Sequence, residues 1–331
     1  MKTRKLGKEM EVSTIGLGCL PMTYSYGPAI THEQANNIIS AAVDGGITLF
    51  DTAECFGSPA DPYANEVMVG EALKAYRDRV RIATKFGVSY SDDGVLQPDS
   101  RPETIRASLE GSLKRLNTDH IDIYIQHRSD PNTSIEELAQ TMAELIKEGK
   151  ILGWGLSETD ANTVRRAHLM CPLTTVQNAY SLLAHKSDMM LPMLERMRIG
   201  FMAFAPLASG FLTGAFGPGH QFALDDLRRT MPQFSDEGHK ANEGLYELLC
   251  DIASDKAITP TQAALAWIIN KSKVCVPIPS TTNTEHLTEI VAAAEVNLTQ
   301  EEMNAIQLRL RNDYMVYGGM EVRERFDYGW K

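Results

Sequence analysis

Nowhere does the 331-residue chain run to about 18 consecutive apolar residues, so no segment is expected to span a membrane. The basic opening Met1-Lys2-Thr3-Arg4-Lys5 is not followed by an apolar run either, which excludes a secretory signal. Positive charge is in deficit: 32 Lys and Arg stand against 43 Asp and Glu, for a net −11. Such a surface repels phosphate backbones and anionic lipid, so neither nucleic acid nor membrane is expected as a partner, although a local basic pocket for a phosphate is compatible with it. Cysteine is scarce and scattered (Cys19, Cys55, Cys171, Cys250, Cys275), with no C-x-x-C pair. That excludes a disulfide framework and fits a reducing, cytoplasmic setting. The eight histidines show no paired ligand spacing, so no metal site is expected. Internal repeats and low-complexity stretches are missing too.

What remains is an ordinary globular composition, 43% hydrophobic and 23% charged. Residues 3–6 and 10–12 read as a short hairpin turning at Gly7-Lys8. Thereafter short apolar runs alternate with segments of helical periodicity, the pattern of repeated βα units. Strands are expected at 14–17, 47–50, 80–84, 121–125, 152–155, 175–176, 200–204 and 274–276. Thr31 before Glu33-Gln34 and Ser134 before Glu136-Glu137 can cap helices, and Gly45-Gly46 and Gly149 can stop them. Eight units without a break in composition predict an α/β fold, one closed (β/α)8 TIM barrel over residues 1–331. An open dinucleotide-binding sheet is excluded, because the first strand leads into Gly16-Leu17-Gly18-Cys19-Leu20-Pro21, without the third glycine of G-x-G-x-x-G. The stretch 214–239, after strand seven, is long enough to be a lid. The last 20 residues, from Asn312, fit no βα unit and are expected to lie as a tail across the barrel, near its mouth.

In such a barrel the chemistry sits where strands end. There the chain places Asp51-Thr52, Lys85, Gln126-His127-Arg128, Ser157-Glu158 and Gln177-Asn178. Each alone has a structural explanation: an Asp after a strand often caps a helix, and a lone His is more often a satisfied structural residue. An acid, an amine and an imidazole on three consecutive strands should nevertheless converge. A Lys–Asp pair in a low-dielectric mouth is costly to bury and hence a functional candidate. Cys55, in the loop after Asp51, reads as a small buried residue rather than a nucleophile.

These residues sit within a longer series of motifs: Leu49-Phe50-Asp51-Thr52-Ala53-Glu54, Asn65-Glu66, Val69-Gly70-Glu71-Ala72-Leu73, Ile82-Ala83-Thr84-Lys85-Phe86-Gly87, Gln126-His127-Arg128, Gly155-Leu156-Ser157-Glu158, Val176-Gln177-Asn178, Ala205-Pro206-Leu207, Gly210-Phe211-Leu212-Thr213-Gly214 and Val276-Pro277-Ile278-Pro279. In that order the chain resembles the aldo-keto reductases, from about Leu6 to about Leu308, and the stretch 226–234 looks like the loop of their longer bacterial branch. The resemblance implies hydride transfer between a nicotinamide cofactor, NADP with NAD not excluded, and a carbonyl or alcohol. It implies Asp51, Lys85 and His127 as three of four catalytic residues. By the same likeness Ser157, Glu158 and Gln177 would hold the carboxamide, Phe204 would stack on the ring, and Leu207 and Ser209 would face the pyrophosphate. Ser280, Thr281, Thr282, His286 and Glu289 would surround the adenosine. Tyr24, Phe86, Arg128 and the tail would line a pocket for a small or medium carbonyl compound.

Two positions depart from the family pattern. The catalytic Tyr is expected five residues after the Asp, where this chain has Phe56. A phenyl ring fills the volume but cannot give a proton to a nascent alkoxide, a contribution worth about 10²–10⁴-fold. Four explanations stand: a deliberate Tyr-to-Phe exchange that traps a complex; a weak or inactive natural member that binds cofactor and regulates or senses; another donor, whether His127, Lys85, Tyr24 or Tyr63; or redox chemistry that needs no donor there. The first two are preferred, and Tyr63 sits in a segment, 58–63, longer than the family usually has. At the adenosine end the chain offers 280–286 as Ser-Thr-Thr-Asn-Thr-Glu-His, without the Arg or Lys that clamps a 2′-phosphate. Selectivity for NADP over NAD is therefore expected to be weak. A Schiff-base aldolase using Lys85 would leave Ser157, Gln177 and Phe204 unexplained.

Overall fold

Alternating apolar strands and capped helices curl into a closed barrel. The computed structural model describes residues 1–91, 95–312 and 315–318. A hairpin of β1 (Thr3–Leu6) and β2 (Met10–Ser13) comes first, turning through Gly7 at φ +66°. The barrel strands are β3 (Leu17–Gly18), β4 (Leu49–Asp51) and β5 (Arg81–Phe86), then, after a small hairpin of β6 (Val88–Tyr90) and β7 (Leu96–Pro98), β8 (Ile121–Gln126), β9 (Ile151–Ser157), β10 (Thr175–Ala179), β11 (Gly200–Phe204) and β12 (Cys275–Pro277). All neighbours among these eight are parallel. First and last meet where Gly16 and Gly18 donate backbone N–H groups to Pro277 and Pro279 at 3.0 and 2.9 Å, and where Gly18 bridges Ser280. Glycine suits this close approach: a Cβ on Gly18 would stand 2.4 Å from Ser280 Oγ and 3.1 Å from the Ile278 carbonyl oxygen.

The helices α1 (His32–Asp44), α2 (Ala64–Leu73), α3 (Pro102–Arg115), α4 (Ile135–Lys147), α5 (Ala161–Met170), α6 (Leu191–Met197), α7 (Asp236–Asp255), α8 (Pro260–Lys271), α9 (Thr284–Ala292) and α10 (Gln300–Asn312) accompany the strands. Thr31 forms a capping box with Gln34, and Ser134 accepts from the Glu137 N–H, as the sequence suggested. None of the helices in the described residues is long and apolar enough to cross a membrane.

Two cores result. Large apolar side chains between sheet and helices, among them Trp154, Trp267, Tyr124 and Phe201, form the outer one. The inner one fills the barrel with Leu49, Ala83, Ile123, Ile125, Met202, Val276 and Ile278, and Leu6 and Val12 of the first hairpin plug its floor. With the floor closed, the strand C-termini are left as the open rim.

All eight expected strands form, with shifted ends. The first starts at Leu17 rather than at 14, because Thr14 still bonds Lys2 of the opening hairpin. The β6–β7 hairpin was not foreseen. Of the expected tail, residues 315–318 run along α7: Val316 exchanges hydrogen bonds with Asn242 at 2.8 and 3.0 Å, and Gly318 N–H reaches Gln233 Oε1 at 3.1 Å. The remainder of the tail, 313–314 and 319–331, lies outside the described residues.

Candidate active site

The rim encloses a cavity of about 450 Å³. Asp51, Lys85, His127, Ser157 and Gln177 reach it from five consecutive strands or their ends, joined by Phe56 and Arg128. Lys85 is 2% exposed and donates to Asp51 Oδ2 at 2.7 Å and to the Thr52 carbonyl at 2.8 Å. The other Asp51 oxygen accepts from Gln177 at 2.7 Å. Since a carboxylate can only accept, this contact fixes the Gln177 amide with its NH2 toward Asp51. The acid is thus held from two strands, and the amine also by one backbone carbonyl.

The loop from β4 to α2 carries the next layer. Thr52 Oγ1 donates to Asn65 Oδ1 at 2.6 Å; Asn65 Nδ2 donates to the Cys19 carbonyl at 2.9 Å and to Thr23 Oγ1 at 2.7 Å. Thr23 in turn donates to the Phe56 carbonyl at 2.5 Å. The Phe56 ring so anchored lies with its face 4.5 Å from Lys85 Nζ and its centroid 5.6 Å from that of His127, edge to face at 76°. A phenyl ring therefore neighbours both the amine and the imidazole. His127 is kept neutral: burial first, then the Arg128 and Lys85 cations, hold its pKa well below 6.5. Its Nδ1 lies 3.3 Å from Cys55 Sγ, and burial pushes that thiol up to about 12. Behind the loop Glu54 is buried beside Glu66, and burial with that neighbouring carboxylate raises its pKa to about 8. Glu66 takes the Arg115 Nε–H at 2.6 Å and the Thr84 hydroxyl at 2.5 Å.

The cavity continues past Phe204, Leu207 and Ser209 to Ser280, Thr281, Thr282, His286 and Glu289. Ala205, Ala208, Ser209 and Gly210 all have positive φ, between 49° and 94°. Such clustered strain in non-glycine residues collects at ligand sites. Glu289 is held by the Thr259 hydroxyl. Among the described residues, neither lysine nor arginine lines this stretch after β12.

Three expected site residues stand elsewhere. Phe86 is fully buried outside the barrel, 4.4 Å from the Tyr124 ring, because successive strand residues point to opposite faces and Lys85 points in. Glu158, at φ +51°, turns away and accepts the Ala179 N–H at 2.7 Å. Tyr24 does not line the cavity; Tyr26, two residues on, does. Tyr63 is no substitute for the phenol, being 44% exposed with its ring 4.1 Å from the Arg115 guanidinium.

Sequence reading missed Tyr26, Phe216 and Arg228, which line the cavity as well. Arg228 grips Asp226 through Nε at 2.9 Å and Nη2 at 2.5 Å, and its guanidinium faces the rings of Phe216, Tyr26 and Phe222 at 4.5, 5.0 and 5.0 Å. Leu227 N–H donates to the Ser25 carbonyl at 3.0 Å, and Tyr26 donates to Ser209 Oγ at 3.2 Å. The segment after β11 is thus strapped to the loop after β3. The charged cluster at 225–229 was the one visible signal.

The profile of the "Aldo/keto reductase family" matches residues 14–309. This chain belongs to that family. A "Probable aldo-keto reductase 1" of Glycine max is 35% identical over 305 residues, 91% of this chain and 87% of that protein. A glycerol dehydrogenase of Gluconobacter oxydans superposes with a TM-score of 0.83 at 26% identity, covering 93% of this chain and 94% of its own. A thermostable aldo-keto reductase solved with the inhibitor epalrestat gives 0.74 at 25%, covering 93% and 99%. Membership makes the chain an oxidoreductase of the aldo-keto reductase type, in a family that generally uses nicotinamide cofactors on small-molecule carbonyl substrates.

Proposed function

We propose that this aldo-keto reductase interconverts a small aldehyde or ketone and its alcohol, with the carbonyl oxygen held between Lys85 and His127, and that Phe56 makes the proton step slow. The observation that carries the reading is the buried Lys85–Asp51 pair, at 2.7 Å, opening with neutral His127 on one cavity. A bound nicotinamide dinucleotide supplies or accepts the hydride.

The chain's residues fit that cofactor along the cavity. Ser157 and the Gln177 carbonyl oxygen would hold the carboxamide, and Phe204 would pack on the ring. The strained turn at Leu207 and Ser209 would face the pyrophosphate. Ser280, Thr281, Thr282, His286 and Glu289 would take the adenosine. Hydroxyls and one imidazole do not clamp a 2′-phosphate as a guanidinium does. NADP and NAD are accordingly expected to bind with similar affinity.

At the reacting end, Asp51 and Thr52 hold two of the Lys85 N–H groups, which fixes the ammonium as a local positive charge for a developing oxyanion. His127, uncharged, adds a hydrogen bond. Arg128, whose Nη1 lies 2.6 Å from the His127 carbonyl, bounds the substrate side. Phe56 covers Nζ with a ring that has no proton to give. The same fact favours a second reading, a weakly turning-over protein that binds cofactor as a sensor.

Single-turnover hydride transfer from NADPH and NADH to a panel of aldehydes, for this chain and for Phe56→Tyr, separates them. Recovery of about 10²–10⁴-fold with Tyr supports the reductase reading. Cofactor binding without turnover in either protein overturns it in favour of sensing. Fast turnover with Phe56 in place means another group delivers the proton, and His127 is the next to substitute.

A further inference from the structure

Cys55 and Phe56 are consecutive, and both grip the same imidazole. Phe56 meets the His127 ring edge to face, while Cys55 Sγ lies 3.3 Å from Nδ1. The His127 backbone N–H donates to the Phe86 carbonyl at 2.9 Å, so the main chain beneath the ring is tied into the barrel. Among the described residues no other hydrogen bond to the ring is found. With Nδ1 turned to Cys55, Nε2 is the nitrogen left for the cavity that His127 lines.

A neutral imidazole carries one N–H and one lone pair, and the partner of one nitrogen decides which is which. Two arrangements fit the contact: S–H donating to Nδ1, or Nδ1–H donating to sulfur. Sulfur is a poor acceptor, whereas the unprotonated imidazole nitrogen is a good one, so the first makes the better bond. Burial, which keeps the thiol protonated, acts in the same direction. The choice has a chemical consequence, because a carbonyl oxygen can accept from Nε2–H but gains nothing from an Nε2 lone pair.

We propose that Cys55 is a positioning residue, donating its S–H to His127 Nδ1 and thereby holding the imidazole as the Nε2–H tautomer that faces the substrate. The proposal rests on the carbonyl-reductase reading for its purpose, but the tautomer can be measured without substrate or turnover.

The experiment is nitrogen-15 NMR of the His127 ring in the full chain, for the unaltered protein, Cys55→Ala and Cys55→Ser. Cys55→Val, which keeps more of the volume, replaces Cys55→Ala if the smaller side chain leaves the protein unfolded. The expected result is an Nε2–H ring in the unaltered protein, a mixture of tautomers in Ala or Val, and recovery of Nε2–H in Ser. An Nδ1–H ring in the unaltered protein, or an Nε2–H ring that persists in Ala or Val, overturns the proposal. Turnover of the same proteins in the Phe56→Tyr background gives the catalytic arm. There kcat should fall by about tenfold in Ala, the size of one weak hydrogen bond, and return in Ser with cofactor affinity unchanged. An unaltered kcat removes the catalytic role while leaving the tautomer result standing.

Discussion

One hydroxyl separates Phe56 from a proton donor, yet the ring's place beside Lys85 and His127 is maintained by a chain of hydrogen bonds from Thr52 through Asn65 and Thr23. Phe56→Tyr should therefore fold without strain and report on chemistry alone. His127 has a cost in stability that depends on pH. Its folded pKa is depressed, so below about 6.5 the unfolded chain binds a proton that the folded protein refuses, and stability falls with pH. Urea unfolding between about pH 7.5 and about pH 5.5 should show a steeper loss for the unaltered protein than for His127→Gln, by up to about 1.4 kcal/mol per pH unit. An equal slope would mean that the imidazole ionises in place. Glu54 works in the opposite sense. Its folded pKa is raised from 4.5 to about 8, so its contribution is full at low pH and is lost as pH rises through about 8. Glu54→Gln should flatten the fall in Tm between about pH 4.5 and about pH 8, the window between the unfolded and folded pKa, which thermal scans across that range would read.

At the scale of elements, the strap and the N-terminus of α9 flank the cavity proposed for the cofactor. Arg228 faces three rings and pairs with Asp226, and Leu227 ties the segment to Ser25. Contacts of an arginine with aromatic faces are worth about 0.5–2 kcal/mol. Arg228→Ala should then speed cofactor release by about tenfold while leaving single-turnover hydride transfer unchanged, as stopped-flow displacement of NADPH would show. The N-terminus of α9 is capped by Asn283, whose Oδ1 accepts from the Glu285 and His286 N–H groups. Introducing arginine by His286→Arg should favour NADPH over NADH by about tenfold, through a bidentate, charge-assisted contact. Titrations of both cofactors by fluorescence check the change, and an unaltered ratio would place the 2′-position away from residue 286.

For the molecule as a whole, the decisive event is closure. Gly18 lies against Ser280 so tightly that Gly18→Ala should displace the last strand, at about 1–3 kcal/mol of stability and with weakened cofactor binding, because residues 280–282 shift with it. Chemical denaturation paired with a cofactor titration tests both halves. The floor plug of Leu6 and Val12 shuts the opposite end, which directs all ligand traffic to the rim. A net charge of −11 does not carry into that rim, where Lys85, Arg128 and Arg228 line the cavity against Asp51 and Glu289.

The alternation of strand and helix, the caps at Thr31 and Ser134 and the strand-end placement of Asp51, Lys85 and His127 were legible in the amino-acid sequence. They depend on local periodicity and on hydrogen bonds between near neighbours. Only the tertiary structure decided the rest. Phe86 went outside the barrel because pleating alternates faces, a rule available in advance but overridden in the reading by proximity to Lys85. Glu158 was turned aside by a left-handed backbone, and Gln177 was drawn to Asp51. Arg228 meeting Tyr26 across the mouth, and Cys55 meeting His127, join residues about 200 and 72 positions apart. No local pattern encodes such contacts, because they exist only once the eight strands have closed and brought the loops after them onto one rim.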